Sequence, residues 1–226
     1  MTVPATTLAD VFAQHQHERP DAPLLLAPET GRQHTYGALG ADVAALDALL
    51  TAQGIGAGAH VGFLLPNGLA TSALFLATMI AGRVTVPLNL LSQAPQLAYV
   101  LAHSEVRCVF VSGEQAATLA AAVALLPTTA GATPGIAVVN IDVDVPLASQ
   151  LPLRTNAGAS AAPQANDPAL LMFTSGTTGK PKGALLTHAN LLHAARTVAA
   201  WHQLTPADRV LSSLPLYHIN GQCIAT

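Results

Sequence analysis

Short apolar runs alternate with helical stretches along most of this 226-residue chain, and the alternation restricts the fold more than any other feature. Each run is apolar at consecutive positions, whereas the intervening stretches space their apolar residues three and four apart. Strands buried on both faces are typical of a parallel sheet that helices cover on both sides. The sequence therefore predicts an α/β fold with layered, parallel-type sheets flanked by helices. Strands are predicted at His60–Leu65, Arg83–Leu88, Arg107–Val111 and Ile136–Val139, and helices at Tyr36–Gln53, after Asn67, at Pro95–His103 and at Glu114–Leu126.

The pattern divides the chain into two lobes and a connector. Residues 1–139 form the first predicted lobe, which opens with a helix at Thr7–His17 and a hairpin of Pro23–Ala27 and Arg32–Thr35. No periodicity holds over 140–167, where Pro, Ala, Asn, Ser and Gly dominate, and this stretch is interpreted as an irregular connector. Residues 168–226 are predicted to begin a second, incomplete lobe, with strands at Ala169–Phe173, Gly183–Leu186 and Arg209–Leu214 and a helix at Asn190–Trp201.

Composition excludes some partners. The net charge of −3 and the charged fraction of 9% give no reason to expect nucleic acid. The most apolar stretch, Leu69–Gly82, is shorter than the roughly 20 residues that span a bilayer, so no membrane span is predicted. Cys108 and Cys223 lie far apart in apolar segments and are interpreted as buried free thiols, which favours a reducing, cytoplasmic location.

Every lysine of the chain lies in one loop rich in Gly, Ser and Thr. Lys180 and Lys182 are the only two, in the segment Phe173-Thr-Ser-Gly-Thr-Thr-Gly-Lys-Pro-Lys-Gly183. Glycines let backbone N–H groups approach anionic oxygens, hydroxyls donate hydrogen bonds, and lysine adds a mobile positive charge, so the loop predicts polyphosphate binding. A flexible linker fits poorly, because an apolar strand precedes the loop. A Walker A loop also fits poorly, because Gly176 and Gly179 are too close and Pro181 follows the first lysine.

This loop closely resembles the signature loop of the AMP-forming adenylating superfamily, which includes acyl- and aryl-CoA synthetases, luciferases and the adenylation domains of peptide synthetases. The flanking segments Asp167–Met172 and Leu186–Leu192 agree, as do Gly62–Asn67 and Gly82–Asn89 further upstream. The resemblance covers nearly all of the chain but only about the first half of a family member. It implies the N-terminal domain portion of an adenylate-forming enzyme.

The resemblance also implies roles for the loop residues. In the family, the loop holds the β- and γ-phosphates of ATP, and Thr174 matches a position that lends a hydroxyl to Mg²⁺ in some relatives. Lys180 is expected to contribute less, because related loops tolerate other residues there. His188 matches a structural position of the family. The residues implied to bind the nucleotide are Thr174, Ser175, Gly176, Thr177, Thr178, Gly179, Lys180 and Lys182.

A second motif, Leu214-Pro-Leu-Tyr-His-Ile-Asn-Gly-Gln222, resembles the segment in which an aromatic or histidine side chain separates the nucleotide from the acyl pocket. A lone histidine in an apolar segment is more often a core residue, but the surrounding motif favours a functional role for His218. No carboxylate lies near His218 to pair with an amino group, and burying an unpaired ammonium is costly. The substrate is therefore predicted to be a plain carboxylic acid, with ATP, Mg²⁺ and CoA as the implied cofactors.

The implied reaction forms an acyl-adenylate and pyrophosphate, and CoA or a carrier thiol then displaces AMP. The family's adenine and ribose segments, its hinge and its catalytic lysine have no counterpart in this sequence, so the isolated chain is expected to be inactive. The isolated chain is also expected to expose apolar surface and therefore to associate, and a homodimer is one expected form of this association. The alternative hypothesis is a naturally short, non-catalytic protein that binds a nucleotide or a partner.

Overall fold

The computed structural model describes residues 5–127, 135–151, 160–174 and 181–218. The strands are β1 Pro23–Ala27, β2 Arg32–Thr35, β3 His60–Leu64, β4 Val84–Pro87, β5 Cys108–Val111, β6 Ala137–Asn140, β7 Pro168–Thr174 and β8 Lys182–Thr187. The helices are α1 Leu8–Glu18, α2 Tyr36–Ala52, α3 Leu69–Ile80, α4 Ala94–Ser104, α5 Ala116–Ala124, α6 Leu147–Gln150 and α7 His188–Trp201. Most of the predicted elements are confirmed to within a few residues.

Local signals explain where α2 begins and ends. The Thr35 hydroxyl accepts a hydrogen bond from the Ala38 backbone N–H at 3.1 Å, which satisfies one of the free donors at the helix start. At the other end, Gly54 takes a positive φ of 72°, which a residue with a Cβ rarely adopts. The next backbone N–H, that of Ile55, then donates back to the Leu50 carbonyl at 2.8 Å and closes the helix.

Six strands form one sheet in the order β6-β5-β3-β4-β7-β8. The pairs from β6 to β7 are parallel, whereas β8 runs antiparallel to β7. Successive residues of a strand face opposite sides of a sheet. Phe63 accordingly joins an apolar core with α2 and α3, and Leu64 joins a second core with α4 and α5. The predicted α/β fold is confirmed, with a mixed sheet. None of the helices in the described residues is both long enough and apolar enough to cross a membrane.

The strands that were expected to begin a second lobe extend the first sheet. β7 pairs in parallel with β4, where Leu170 lies beside Thr85. The connector therefore returns the chain to the same sheet, and residue 168 does not mark a boundary between sheets. Part of the connector is also ordered by packing, because α6 lies within it and its Leu147 is fully buried. How the whole protein divides into domains stays a prediction.

The strand predicted at Arg209–Leu214 is wrong. Residues 204–214 contain no strand and are exposed, with Leu211 at 78% exposure. A strand needs a neighbour that accepts its backbone hydrogen bonds. Within the described part of the chain, no strand pairs with this segment. The apolar pattern alone could not reveal that.

Exposed apolar side chains concentrate between β8 and residue 214. Leu185 on β8 is 50% exposed, and Trp201, the single tryptophan of the chain, is 84% exposed at the end of α7. Leu204, Val210 and Leu214 are also exposed. Apolar side chains exposed in this number favour association.

The isolated chain is therefore expected to associate through the β8 side. As its concentration rises, Trp201 fluorescence should shift to shorter wavelength, and sedimentation should show species heavier than 23.0 kDa. Leu185→Ser should weaken this association. Leu125→Ser, at a position 56% exposed near the opposite edge of the sheet, is the matched control and should not. A monomer with unchanged emission at every concentration contradicts the expectation.

His188 is fully buried in the first turn of α7. Its Nδ1 accepts a hydrogen bond from the Leu8 backbone N–H at 3.3 Å, which links α7 to α1. Burial lowers the pKa of His188 from its ordinary value of 6.5, although the carboxylates of Asp167 and Asp10 oppose the shift. These contacts agree with the structural role that the resemblance implied.

Acidification is expected to destabilise the fold through His188. Because the pKa is lower in the folded state, the unfolded chain binds the proton first, so this contribution to stability is complete above pH 6.5 and is lost as the pH falls below it. His188→Asn keeps an acceptor near Nδ1 but cannot titrate, so it should flatten this part of the profile. Denaturant unfolding between about pH 5 and 8 measures the effect. The exposed His193→Asn should keep the wild-type slope, and a wild-type slope in His188→Asn contradicts the prediction.

Candidate nucleotide and acid site

The carboxyl ends of the parallel strands place two candidate segments at one edge of the sheet. β3, β4 and β7 run in the same direction, so the residues after Leu64, after Pro87 and at Thr174 lie along that edge. In open α/β sheets, ligands bind outside the carboxyl ends of the strands. The predicted phosphate loop follows β7, and the segment with His218 is bound to the loop after β3.

The phosphate loop connects the two antiparallel strands β7 and β8. Thr174 and Lys182 lie directly opposite each other at its base. Side chains of a directly opposed pair project from the same face, with Cβ atoms about 4.5–5.5 Å apart. Both residues are exposed. The structure thus brings together a hydroxyl donor and an ammonium group, which together can hold phosphate oxygens. The other predicted nucleotide-binding residues, Ser175, Gly176, Thr177, Thr178, Gly179 and Lys180, lie outside the described residues.

Gly183 allows β8 to lie close against β7. It is opposite Phe173 in the ladder, and a Cβ at this position would come within 3.1 Å of Leu171 Cδ1. Contacts that close are tighter than real Cβ atoms usually make, so a larger residue would require the Leu171 side chain to move by a few tenths of an ångström.

His218 lies at the end of an ordered turn. Its backbone N–H donates to the Pro215 carbonyl at 3.0 Å, and its ring lies 4.8 Å from the Tyr217 ring, measured between centroids. Leu216, two residues earlier, is buried in the core. The His218 side chain itself is exposed, so it is not a core histidine. Among the described residues, no hydrogen bond joins it to Thr174 or Lys182.

Asn67 is a residue of this edge to which the sequence analysis assigned no role. Its side-chain amide forms hydrogen bonds with the backbone of Leu214 and Leu216, which lie 147 and 149 residues further along the chain. The sequence marks Asn67 only as the last residue of Gly62–Asn67, a segment that agrees with the family resemblance. Its partners could not be read from that position.

The described residues offer no resident metal site. No group of three or more His, Cys, Asp or Glu side chains among them could hold a metal ion. Mg²⁺ usually binds proteins through few protein oxygens and completes its coordination with substrate phosphates and water. The exposed Thr174 hydroxyl fits this mode, in which a magnesium ion arrives with the nucleotide.

Comparison with known proteins gives a consistent result. The model of the family described as AMP-binding enzyme matches residues 12–226. The chain is 45% identical over 219 residues to a sulfoacetate–CoA ligase of Cupriavidus necator, and 34% identical over 189 residues to the long-chain-fatty-acid–CoA ligase FadD15 of Mycobacterium bovis. The fold is similar to the inhibitor-bound N-terminal domain of FACL13 from Mycobacterium tuberculosis, with a TM-score of 0.77 and 25% identity over 98% of this chain and 54% of that one.

The chain spans less than half of the length of these curated relatives. The match covers 95% of this chain but 41% of the Cupriavidus ligase, and 78% of this chain but 30% of the mycobacterial one.

Proposed function

The chain belongs to the AMP-binding enzyme family, and on that premise we propose that it is the N-terminal part of an ATP-dependent acid–CoA ligase. The observation that carries the proposal is the pairing of Thr174 with Lys182 at the base of the signature loop. In the family that the loop resembles, this loop holds the phosphates of ATP, so a hydroxyl and a positive charge paired at its base support the proposal. The relatives named as CoA ligases support the same reaction class.

The proposed reaction has two steps. A carboxylate oxygen attacks the α-phosphorus of ATP, the bond between that phosphorus and the bridging oxygen breaks, and pyrophosphate leaves with the electron pair. The sulfur of CoA then attacks the acyl carbon, the bond from that carbon to the AMP oxygen breaks, and AMP leaves while the thiol proton passes to solvent. Magnesium bound to ATP would neutralise phosphate charge in the first step.

The residues of this chain act in the first step by positioning and by stabilising charge. Lys182 and the loop hydroxyls would hold the β- and γ-phosphates and stabilise the charge that develops on pyrophosphate. His218 would separate the nucleotide from the acid. No protein nucleophile is required, and burial raises the pKa of the Cys108 thiol to about 12, which keeps that thiol protonated. We also propose a cytoplasmic location, in keeping with this free thiol.

The proposed substrate is a carboxylic acid without an amino group. Two of the relatives in the comparison suggest two kinds of acid to test, sulfoacetate and long-chain fatty acids. Within the chain, no Asp or Glu follows Asp208, so the segment around His218 offers no counter-charge to an ammonium. The part of the acid site that lies beyond this chain is expected to distinguish a short sulfonated acid from an apolar one.

The experiment begins with the native gene product isolated from its own cells. An intact mass more than double 23.0 kDa is expected if the chain is the first part of a complete ligase. The purified protein is then incubated with ATP, CoA and either acid, and products are identified by mass spectrometry. AMP and the matching acyl-CoA are the expected products. A native product near 23.0 kDa that forms neither would instead favour a non-catalytic binding protein.

A further inference from the structure

Asn67 uses both polar atoms of its side chain on one distant segment. Its Nδ2 donates to the Leu214 carbonyl at 2.9 Å, and its Oδ1 accepts from the Leu216 backbone N–H at 3.0 Å. A flipped amide would set donor against donor and acceptor against acceptor, so the pairing itself fixes the orientation. The amide therefore binds the 214–216 backbone as a neighbouring strand would.

The segment that Asn67 holds leads directly to His218. This segment forms no strand, and its apolar anchor is Leu216, which is only 4% exposed. The turn that presents His218 starts at Pro215, between the two residues that Asn67 binds. A shift of the 214–216 backbone would therefore move His218 with it.

The loop that carries Asn67 is itself braced. The Thr71 hydroxyl donates to the Pro66 carbonyl at 2.7 Å, and the Ala70 backbone N–H donates to the Val143 carbonyl at 3.3 Å. Gly68 packs so closely that a Cβ there would come within 3.1 Å of Val143 Cβ. Asn67 thus stands on a fixed support at the carboxyl edge of the sheet, the edge at which β7 leads into the phosphate loop.

We infer that Asn67 is a positioning residue, which fixes the 214–218 segment, and with it His218, relative to Thr174 and Lys182 at the base of the phosphate loop. The role in catalysis rests on the proposed function. Small misplacements at an active site are costly, since a 1 Å error can reduce a rate by about 100-fold. Loss of the amide should impair use of the acid, while the nucleotide contacts of Thr174 and Lys182 remain.

The test uses the native full-length protein and two readouts. Asn67→Ala should speed hydrogen exchange in the peptide that covers residues 214–218, because the Leu216 N–H loses its acceptor. It should also lower kcat/KM for the acid by about 10-fold or more, with a smaller change in KM for ATP. Asn67→Asp keeps the acceptor for Leu216 but loses the donor to Leu214. Its exchange rate and its kcat/KM should therefore lie between those of wild type and those of Asn67→Ala. Asn140→Ala, an exposed asparagine at the end of β6, is the matched control and should behave as wild type in both readouts.

A double substitution separates positioning from general damage. If Asn67 acts through the His218 segment, the losses caused by Asn67→Ala and His218→Ala should not multiply when combined. Unchanged hydrogen exchange in Asn67→Ala overturns the inference. If exchange rises in Asn67→Ala but its kcat/KM for the acid stays at the wild-type value, the inference is overturned as well. An inactive wild type would overturn the proposed function instead, and hydrogen exchange would still decide whether Asn67 fixes the segment.

Discussion

Replacing Arg83 with methionine is expected to lower the free energy of unfolding by about 2–3 kcal/mol, because it removes a fully buried cation and leaves the acceptors around it unpaired. Arg83 is fully buried just before β4, and its Nη1 donates to the Asp47 carboxylate and to the Ala81 carbonyl. Its Nη2 donates to the Thr51 hydroxyl at 2.9 Å and to the Ile55 carbonyl at 3.1 Å. Methionine fills a similar volume but leaves these acceptors without their donor.

The loss should spread beyond Arg83 because Asp47 joins it to the connector. Burial alone would raise the pKa of Asp47, but hydrogen bonds from Ser160 and Arg83 outweigh it and hold the pKa below its ordinary value. The Ser160 hydroxyl donates to this carboxylate at 2.7 Å, and the Ser160 backbone N–H donates at 3.1 Å. Without Arg83, the partly buried Asp47 carboxylate loses its counter-charge, although it still lies on α2 and is still bound by Ser160.

Denaturant unfolding measures the prediction. Arg32→Met, at an exposed position on β2, is the control and should change stability by less than about 0.5 kcal/mol. The double substitution Arg83→Met with Asp47→Leu should lose less than the two single losses combined, because it removes the orphaned charge. A loss below about 1 kcal/mol in Arg83→Met contradicts a stabilising role for the pair of buried Arg83 and partly buried Asp47, since that is the range of exposed pairs.

Replacing Lys182 with alanine in the full-length protein is expected to slow adenylate formation by about 100-fold or more, as loss of one positioned electrostatic donor usually does. Lys182 lies opposite Thr174 at the base of the loop, so the β7–β8 ladder fixes the backbone from which its side chain extends. Its positive charge would be most stabilising as pyrophosphate forms and negative charge develops on the leaving group. The effect should therefore appear in kcat and in the KM for ATP, with little change in the KM for the acid.

Lys180→Ala is the matched comparison, because it removes the same charge from the same loop. The family resemblance implies a weaker role for Lys180, so its loss should be several-fold smaller. Unfolding of both variants should match wild type, since Lys182 is exposed. Equal losses for the two lysines would contradict a specific role for Lys182, and full activity in Lys182→Ala would contradict phosphate binding at the base of the loop.

Elements with local signals could be predicted from the sequence. The hairpin of β1 and β2 was predicted with its observed bounds, since Gly31 supplies the positive φ of 66° that its turn needs. The buried parallel strands could be found because each is apolar on both faces. The residue types of the loop predicted phosphate binding, and the order of its residues resembles the family signature. The structure places its first and last polar residues, Thr174 and Lys182, opposite each other.

Features that depend on distant partners could not be predicted. The pattern of β7 does not show that it returns to β4, and the apolar run at 209–214 does not show that no strand among the described residues pairs with it. The sequence pattern predicts Arg83 only as one residue of a strand. In the structure, its guanidinium group donates hydrogen bonds to α2 and to the turn that follows it. The partners of Asn67 lie nearly 150 residues away, so only the folded structure reveals them.

The formation of an acyl-adenylate is measured most simply as the carboxylate-dependent exchange of labelled pyrophosphate into ATP by the native full-length protein. The reverse of the first step returns label to ATP only if an acyl-adenylate forms, so the assay does not depend on CoA. We expect exchange that requires both an acid and Lys182, and no exchange by the 226-residue chain alone. A folded native protein that shows no exchange with sulfoacetate, fatty acids or any other carboxylate would contradict it.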